Sequence, residues 1–194
     1  AEVAVIMGVH PAIYIAAATS GTPDFSELEM AAGILGGLDL TEHEGLLIPA
    51  HTELVLRGRF TGELAEEGPF VDLTGTLDGT RQQPVLEITK VHHRNDFHYH
   101  TIVPGGVEHR LLMGGPQEPR ILRAVSNTFP RVRDVALSAG GCNWLHAVVA
   151  IERPRAGQAK NVAMAALGAH PSLKRVVIVD EDVNVHDAEA VEWA

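Results

Sequence analysis

Two carboxylates bracket a rigid corner in Glu66-Glu67-Gly68-Pro69-Phe70-Val71-Asp72-Leu73-Thr74-Gly75. The Gly-Pro-Phe bend between Glu67 and Asp72 can aim both side chains into one cavity, where burial and mutual repulsion push their pKa values apart. One acid then stays protonated as a donor while the other stays ionised. On spacing alone, an acidic surface turn is the more economical reading. Glu27 is a second candidate: an acid in the first turn of a helix offsets the dipole, and the same carboxylate could ligate a cation beside a flavin or phosphate. The histidines His92, His93, His98 and His100 would face one another if residues 85–93 and 97–103 were arms of a hairpin turned at Asn95-Asp96. His98 and His100 would then share a strand face, as in cupin-type metal sites. The next acid, however, is Glu108, beyond a Pro-Gly-Gly break, and packed or surface histidines are the simpler reading. Cys142 and His146 lie four apart across the start of a strand, which favours a buried structural thiol over a nucleophile.

Several elements must position these residues. Val3-Ala4-Val5-Ile6-Met7 is an unbroken apolar run and predicts a strand buried on both faces. Pro11 suits the first position of a helix over 12–17, and 19–25 reads as a loop. Ser26 and Glu29 form a capping box, Phe25 and Met30 a hydrophobic staple, and Gly36-Gly37 ends that helix. A strand over 52–57 is cut off by Gly58. Short strands separated by turns through residue 103 favour an antiparallel barrel, followed by a loop over 104–111. Beyond Pro116, Ile121, Leu122 and Val125 make a helical stripe. Strands over 132–137, 145–151 and 176–179, with a helix over 159–169, suggest an α/β layer. Asp187 can cap a helix over 188–193. Both ends read as cut from a longer chain.

Composition narrows the function classes. The 194 residues carry 15 Lys+Arg against 25 Asp+Glu, a net charge of −10, which argues against nucleic acid or an anionic membrane as main partner. A hydrophobic fraction of 45% suffices for a core, and no apolar stretch approaches the ~18 residues of a membrane span. A single cysteine excludes an internal disulfide and fits a reducing cytoplasm.

Taken in order, Gly8-Val9-His10-Pro11-Ala12, the Glu27 helix, Ile48-Pro49-Ala50-His51-Thr52-Glu53-Leu54-Val55-Leu56-Arg57-Gly58 and Glu67-Gly68-Pro69-Phe70 resemble a known series. It continues with Leu145-His146-Ala147-Val148-Val149, Ala169-His170-Pro171-Ser172-Leu173-Lys174 and Asp180-Glu181-Asp182-Val183-Asn184-Val185. The chain thus resembles the UbiD family of prenylated-FMN-dependent decarboxylases, also called 3-octaprenyl-4-hydroxybenzoate carboxy-lyase-like proteins. The resemblance implies an α+β fold: a split β-barrel of FMN-binding type over residues 1–115, then an α/β layer over 116–194. It implies removal of CO₂ from a small α,β-unsaturated or aromatic acid, with prenylated FMN held through Mn²⁺ and K⁺, in a homo-oligomer. By the same resemblance Glu27 matches the carboxylate on the phosphate-bound metal. The stretch Ala16, Ala17, Ala18 and Thr19 matches the main-chain carbonyls that hold the monovalent cation. Glu67 matches the first acid of a Glu-Arg-Glu network, and Asp72 the second, the proton donor and acceptor at the substrate carbon. Asp72 is one methylene shorter than the usual Glu. The family's Asn, Arg and His for metal and cofactor lie upstream of Ala1, so residues 1–194 alone are expected to be inactive. Two rivals stand beside this reading: a non-catalytic split-barrel module that binds flavin or a partner, and a cupin-like metal enzyme built on His98 and His100.

Overall fold

In the computed structural model, which describes residues 1–194, the chain is a mixed α/β protein of small sheets in two compact units, Ala1–Gly105 and Gly106–Ala194. The first contains β1 (Glu2–Met7), α1 (Pro11–Ala17), α2 (Glu27–Leu35), β2 (Leu40–His43), β3 (Leu46–Pro49), β4 (Leu54–Glu67) and β5 (Arg81–His93). β1, β4 and β5 form an antiparallel sheet in that order, and β2 pairs with β3 in a separate hairpin.

Local chemistry sets these boundaries. Pro11 opens α1, and His10 caps it by accepting the Ala12 N–H on Nδ1 at 3.2 Å. Ser26 caps α2 through the Glu29 N–H at 3.3 Å, and Gly36 closes it at φ 74°, a left-handed conformation that suits glycine. Ile13, Ala16 and Ala31 then pack the two helices together against Ile6 and Val9.

Three expectations are corrected here. The run Val3 to Met7 is only half-buried, because β1 lies at a sheet edge and pairs with β4 alone. Gly58 does not end its strand. The register shifts between Arg57 and Gly58, and β4 continues to Glu67; this is a bulge, at which glycine lets the backbone of Glu87 approach. The hairpin over 85–93 and 97–103 does not form. β5 pairs with β4, and residues 97–103 adopt no strand.

Beyond Arg59, β4 and β5 run on as a two-stranded ribbon whose faces differ. Phe60 opposes Leu86 and Leu64 opposes Pro84 on one face; Arg59 opposes Glu87 and Glu67 opposes Arg81 on the other. The buried Arg57 ties the β2–β3 hairpin to this sheet, its NH2 donating to the Glu44 carbonyl at 3.1 Å. A hydrogen bond from Lys90, with Lys90, His92 and Arg57 as nearby charges, holds the Glu44 carboxyl below its ordinary range.

The second unit contains α3 (Val107–Gly114), α4 (Gln117–Thr128), β6 (Val132–Leu137), β7 (His146–Ile151), α5 (Gln158–Ala169), β8 (Arg175–Asp180) and α6 (Ala188–Trp193). Helix α3 replaces the expected loop at 104–111. The expected helical stripe of α4 is realised, with Ile121 and Val125 fully buried. β7 pairs antiparallel with β6 and parallel with β8. As the central strand it is covered on both faces, so Ala147 to Ile151 are all apolar and buried. α4 and α5 cover one face through Ile121, Val125, Val162 and Ala166; Val185 and Val191 cover the other. Asp187 caps α6 by accepting from the Glu189 and Ala190 N–H groups. No helix is long and apolar enough to cross a membrane.

Candidate functional site

The acid corner begins where β4 ends. Glu67 is the last residue of that strand, exposed to solvent, with no hydrogen bond or ion pair to its side chain. At Gly68 φ is 94°, and a Cβ there would stand 3.2 Å from the Gly79 carbonyl oxygen, so glycine suits the turn both conformationally and sterically. The chain then folds back on itself through an antiparallel bridge between Val71 and Leu77. Asp72 donates its N–H to Thr76 O at 2.8 Å and accepts the Gly75 N–H at 2.9 Å. Its half-buried carboxylate takes the Thr74 hydroxyl on Oδ2 at 3.3 Å. Beneath it Leu73 is buried, while Phe70 stays exposed at the bend. Asp78 closes the turn, with its N–H on Phe70 O at 2.8 Å and its carboxylate paired with Arg81. Glu67 and Asp72 are thus the outer and inner acids of one tight corner. The cavity into which the bend was expected to aim both side chains is not formed within these residues: Glu67 faces solvent, and neither acid lines either of two clefts in the structure. One, of about 330 Å³, lies by His10, Ile13, Leu38 and His51; the other, of about 370 Å³, lies between the second sheet and α6.

The other candidates scatter. Glu27 is exposed at the first position of α2, with no ion pair. Ala16 is fully buried, and its carbonyl accepts the Thr19 N–H at 3.0 Å; Ala17 is exposed, and the Thr19 hydroxyl donates to Ile15 O at 2.8 Å. The metal-barrel rival loses its geometry, because His98 and His100 share no strand. His98 instead offers its N–H to Glu53 Oε2 at 3.1 Å, and the His100 ring meets Tyr14 edge-on at 4.8 Å. No group of three or more His, Cys, Asp or Glu side chains is arranged to hold a metal ion. Cys142 is half-buried and free, in a left-handed turn at φ 58°. His170, by contrast, is 2% exposed and bonded through Nε2 to Trp144 O at 3.0 Å; burial lowers its pKa. Sequence reasoning passed over Arg81 and Glu53. Arg81 was visible as the one cation between Arg59 and Lys90 in a stretch rich in acids; Glu53 gave no such signal.

Residues 1–107 match the 3-octaprenyl-4-hydroxybenzoate carboxy-lyase Rift-related domain and residues 110–194 the C-terminal domain of the same enzymes, so the chain belongs to the UbiD decarboxylase family. It is 48% identical over 195 residues to the anhydromevalonate phosphate decarboxylase of Methanocaldococcus jannaschii, covering all of this chain and 46% of that protein. The enzyme of the same name from Methanothermobacter thermautotrophicus is 51% identical over 198 residues, with the same coverage. The chain therefore spans about half the length of these curated relatives. The UbiD-class enzyme HmfF from Pelotomaculum thermopropionicum, in complex with FMN, superposes with a TM-score of 0.94 at 38% identity, over 99% of this chain and 44% of that one. An evolved dimeric form of HmfF with prFMN gives 0.92 at 37% identity, over 99% and 46%.

Proposed function

We propose that this chain forms the central part of a prenylated-FMN-dependent decarboxylase that removes CO₂ from a small unsaturated acid carrying a phosphate. The family membership and the 48–51% identity to two anhydromevalonate phosphate decarboxylases support the activity and the substrate class. Loss of water from a hydroxy acid leaves a carbon–carbon double bond, which is the functional group such chemistry needs. In this reading the two small antiparallel sheets of the first unit are part of a split barrel, and the enzyme is a cytoplasmic homo-oligomer.

The observation that carries the mechanism is the acid corner itself. An exposed, unpaired Glu67 and a half-buried Asp72 sit on either side of one bend, beside an uncovered Phe70. These residues fit a flavin reaction that needs proton return beside an apolar surface. When bound, the prenylated flavin supplies the electron sink for loss of CO₂. Asp72 holds a proton for the substrate carbon. Cover over Phe70 would shut water out of the corner, so that the proton passes between Asp72 and the substrate carbon alone. Thr74 orients the Asp72 carboxylate, and Glu67 re-supplies the proton. Residues 1–194 do not by themselves assemble a metal centre; we assign Glu27 as one carboxylate for a phosphate-bound Mn²⁺, and the main chain at Ala16, Ala17 and Thr19 as the neighbourhood of K⁺, with the remaining ligands outside these residues. The test is CO₂ release by the flavin-loaded enzyme from a phosphorylated unsaturated acid and from an aromatic acid. Turnover of the former supports the reading, turnover of the aromatic acid alone corrects the substrate class, and turnover of neither refutes it.

A further inference from the structure

Beyond Arg59 the β4–β5 ribbon runs on past β1, and the acid corner hangs at its far end. A two-stranded ribbon is only marginally stable by itself, so it holds the direction of Asp72 poorly. A second tie reaches the corner through residues 94–105, which carry no helix or strand and are pinned at three points. The first pin is the half-buried Glu53, the residue before β4. Its Oε2 accepts the His98 N–H at 3.1 Å, and its Oε1 stands 3.6 Å from Arg94 NH1. Its own N–H donates to Gly8 O at 3.1 Å, and its carbonyl accepts the Arg94 N–H at 3.1 Å. Gly8, at φ 68°, makes room for this packing: a Cβ there would stand 2.5 Å from Glu53 Cβ and 3.1 Å from His98 O. The second pin is Tyr14, whose hydroxyl accepts the Gly8 N–H at 3.0 Å and whose ring meets His100 edge-on. The third lies at the corner itself. Gly105 approaches so closely that a Cβ would stand 3.1 Å from Asp72 O and 3.2 Å from Val71 Cγ1. Glu53 and Asp72 thus lie at the two ends of one strap, and freeing the His98 end lets Gly105 shift against Asp72.

We propose that Glu53 is a positioning residue for the proton transfer. By holding the His98 N–H it keeps residues 98–105 seated on the Asp72 main chain, and so keeps the Asp72 carboxylate aimed at the substrate carbon. In this role Glu53 touches neither substrate nor flavin. The inference deepens the decarboxylase reading and rests on Asp72 as its proton carrier. A carboxylate suits the task, because a hydrogen bond to a charged acceptor is about twice as strong as a neutral one. Proton transfer is the step that feels a slip of the strap, since a displacement of ~1 Å arising far from the chemistry can cost ~100-fold in rate.

The experiment compares the complete flavin-loaded enzyme with its E53A, E53Q and G105A variants on a phosphorylated unsaturated acid. It reads kcat per bound flavin, KM, proton exchange into product, flavin content and thermal unfolding. E53A leaves the His98 N–H without its acceptor. It should lower kcat and exchange together by about ten- to hundredfold, with KM and flavin content within about twofold of wild type. E53Q gives up the charge and keeps an acceptor, and should recover to within about fivefold of wild type. G105A presses on Asp72 from the other end of the strap; it should repeat the E53A pattern, and it carries the test if E53A fails to fold. A residue that only stabilised the fold would lower Tm and leave kcat per flavin at the wild-type value. That result in E53A, or in G105A where E53A does not fold, overturns the assignment. So does a rise in KM at constant kcat, or an E53Q enzyme as slow as E53A. The D72N enzyme separates the two claims. Exchange lost in D72N beside wild-type kcat in E53A discards Glu53 and keeps the decarboxylase reading, whereas wild-type exchange in D72N discards the reading on which both rest.

Discussion

Replacing Gly58 by Ala tests how the acid corner is held in place. Gly58 is buried at the bulge where β4 prepares to leave β1 and run out to Glu67. A Cβ built there stands 2.4 Å from the Glu87 backbone oxygen and 3.3 Å from Ile88 Cδ1. Real Cβ contacts essentially never fall below 3.0 Å, so β4 and β5 must part by roughly 0.6 Å or more, and the obstacle is main chain that cannot rotate aside. Overpacking of this kind costs about 1–3 kcal/mol. For a unit of this size each kcal/mol lowers Tm by roughly 4–8 °C, so about 2 kcal/mol predicts a fall of roughly 8–16 °C. Gly33, inside α2 with nothing within 4 Å of its Cβ position, is the matched control. Its replacement by Ala should stabilise by about 0.5–1 kcal/mol. Thermal unfolding followed by circular dichroism reads both. A Gly58→Ala protein that melts with the wild type, or the two variants shifting in the same direction, would refute the close approach inferred at the bulge.

Two further outcomes follow from individual residues. Burial keeps His170 neutral and its pKa low, so below about pH 6.5 the unfolded chain binds a proton that the native state refuses. Stability should therefore fall as pH drops from 7.5 to 5.5, and His170→Gln should flatten that dependence in pH-resolved melts; equal slopes would count against it. Glu27→Gln should lower the metal and flavin content of the purified complete enzyme, and unchanged occupancy would remove Glu27 from the cofactor site.

Much of the second unit was legible because its signals are local and redundant. The run 147–151 is apolar because a central strand meets packed helices on one face and a valine layer on the other. Ile121 and Val125 repeat at the helical period of α4, and Asp187 stands at a cap. The first unit was harder. Gly58 reads as a stop in sequence, yet its lack of a side chain is what lets two strands continue past each other. The pairing that defeated the expected 85–103 hairpin depends on β4, about thirty residues upstream, which no local pattern around Asn95-Asp96 encodes. At the corner, Glu67, Asp72 and the Gly68-Pro69 bend were plain in the sequence. The partnership of Asp78 with Arg81 was not, since it arises only when the chain folds back between Val71 and Leu77.

The central claim is that Asp72 moves the proton at the substrate carbon, and proton exchange into product by the flavin-loaded Asp72→Asn enzyme tests it most directly. The account predicts that exchange and turnover are both abolished while flavin stays bound in wild-type amount. Exchange at the wild-type rate in that variant would contradict it.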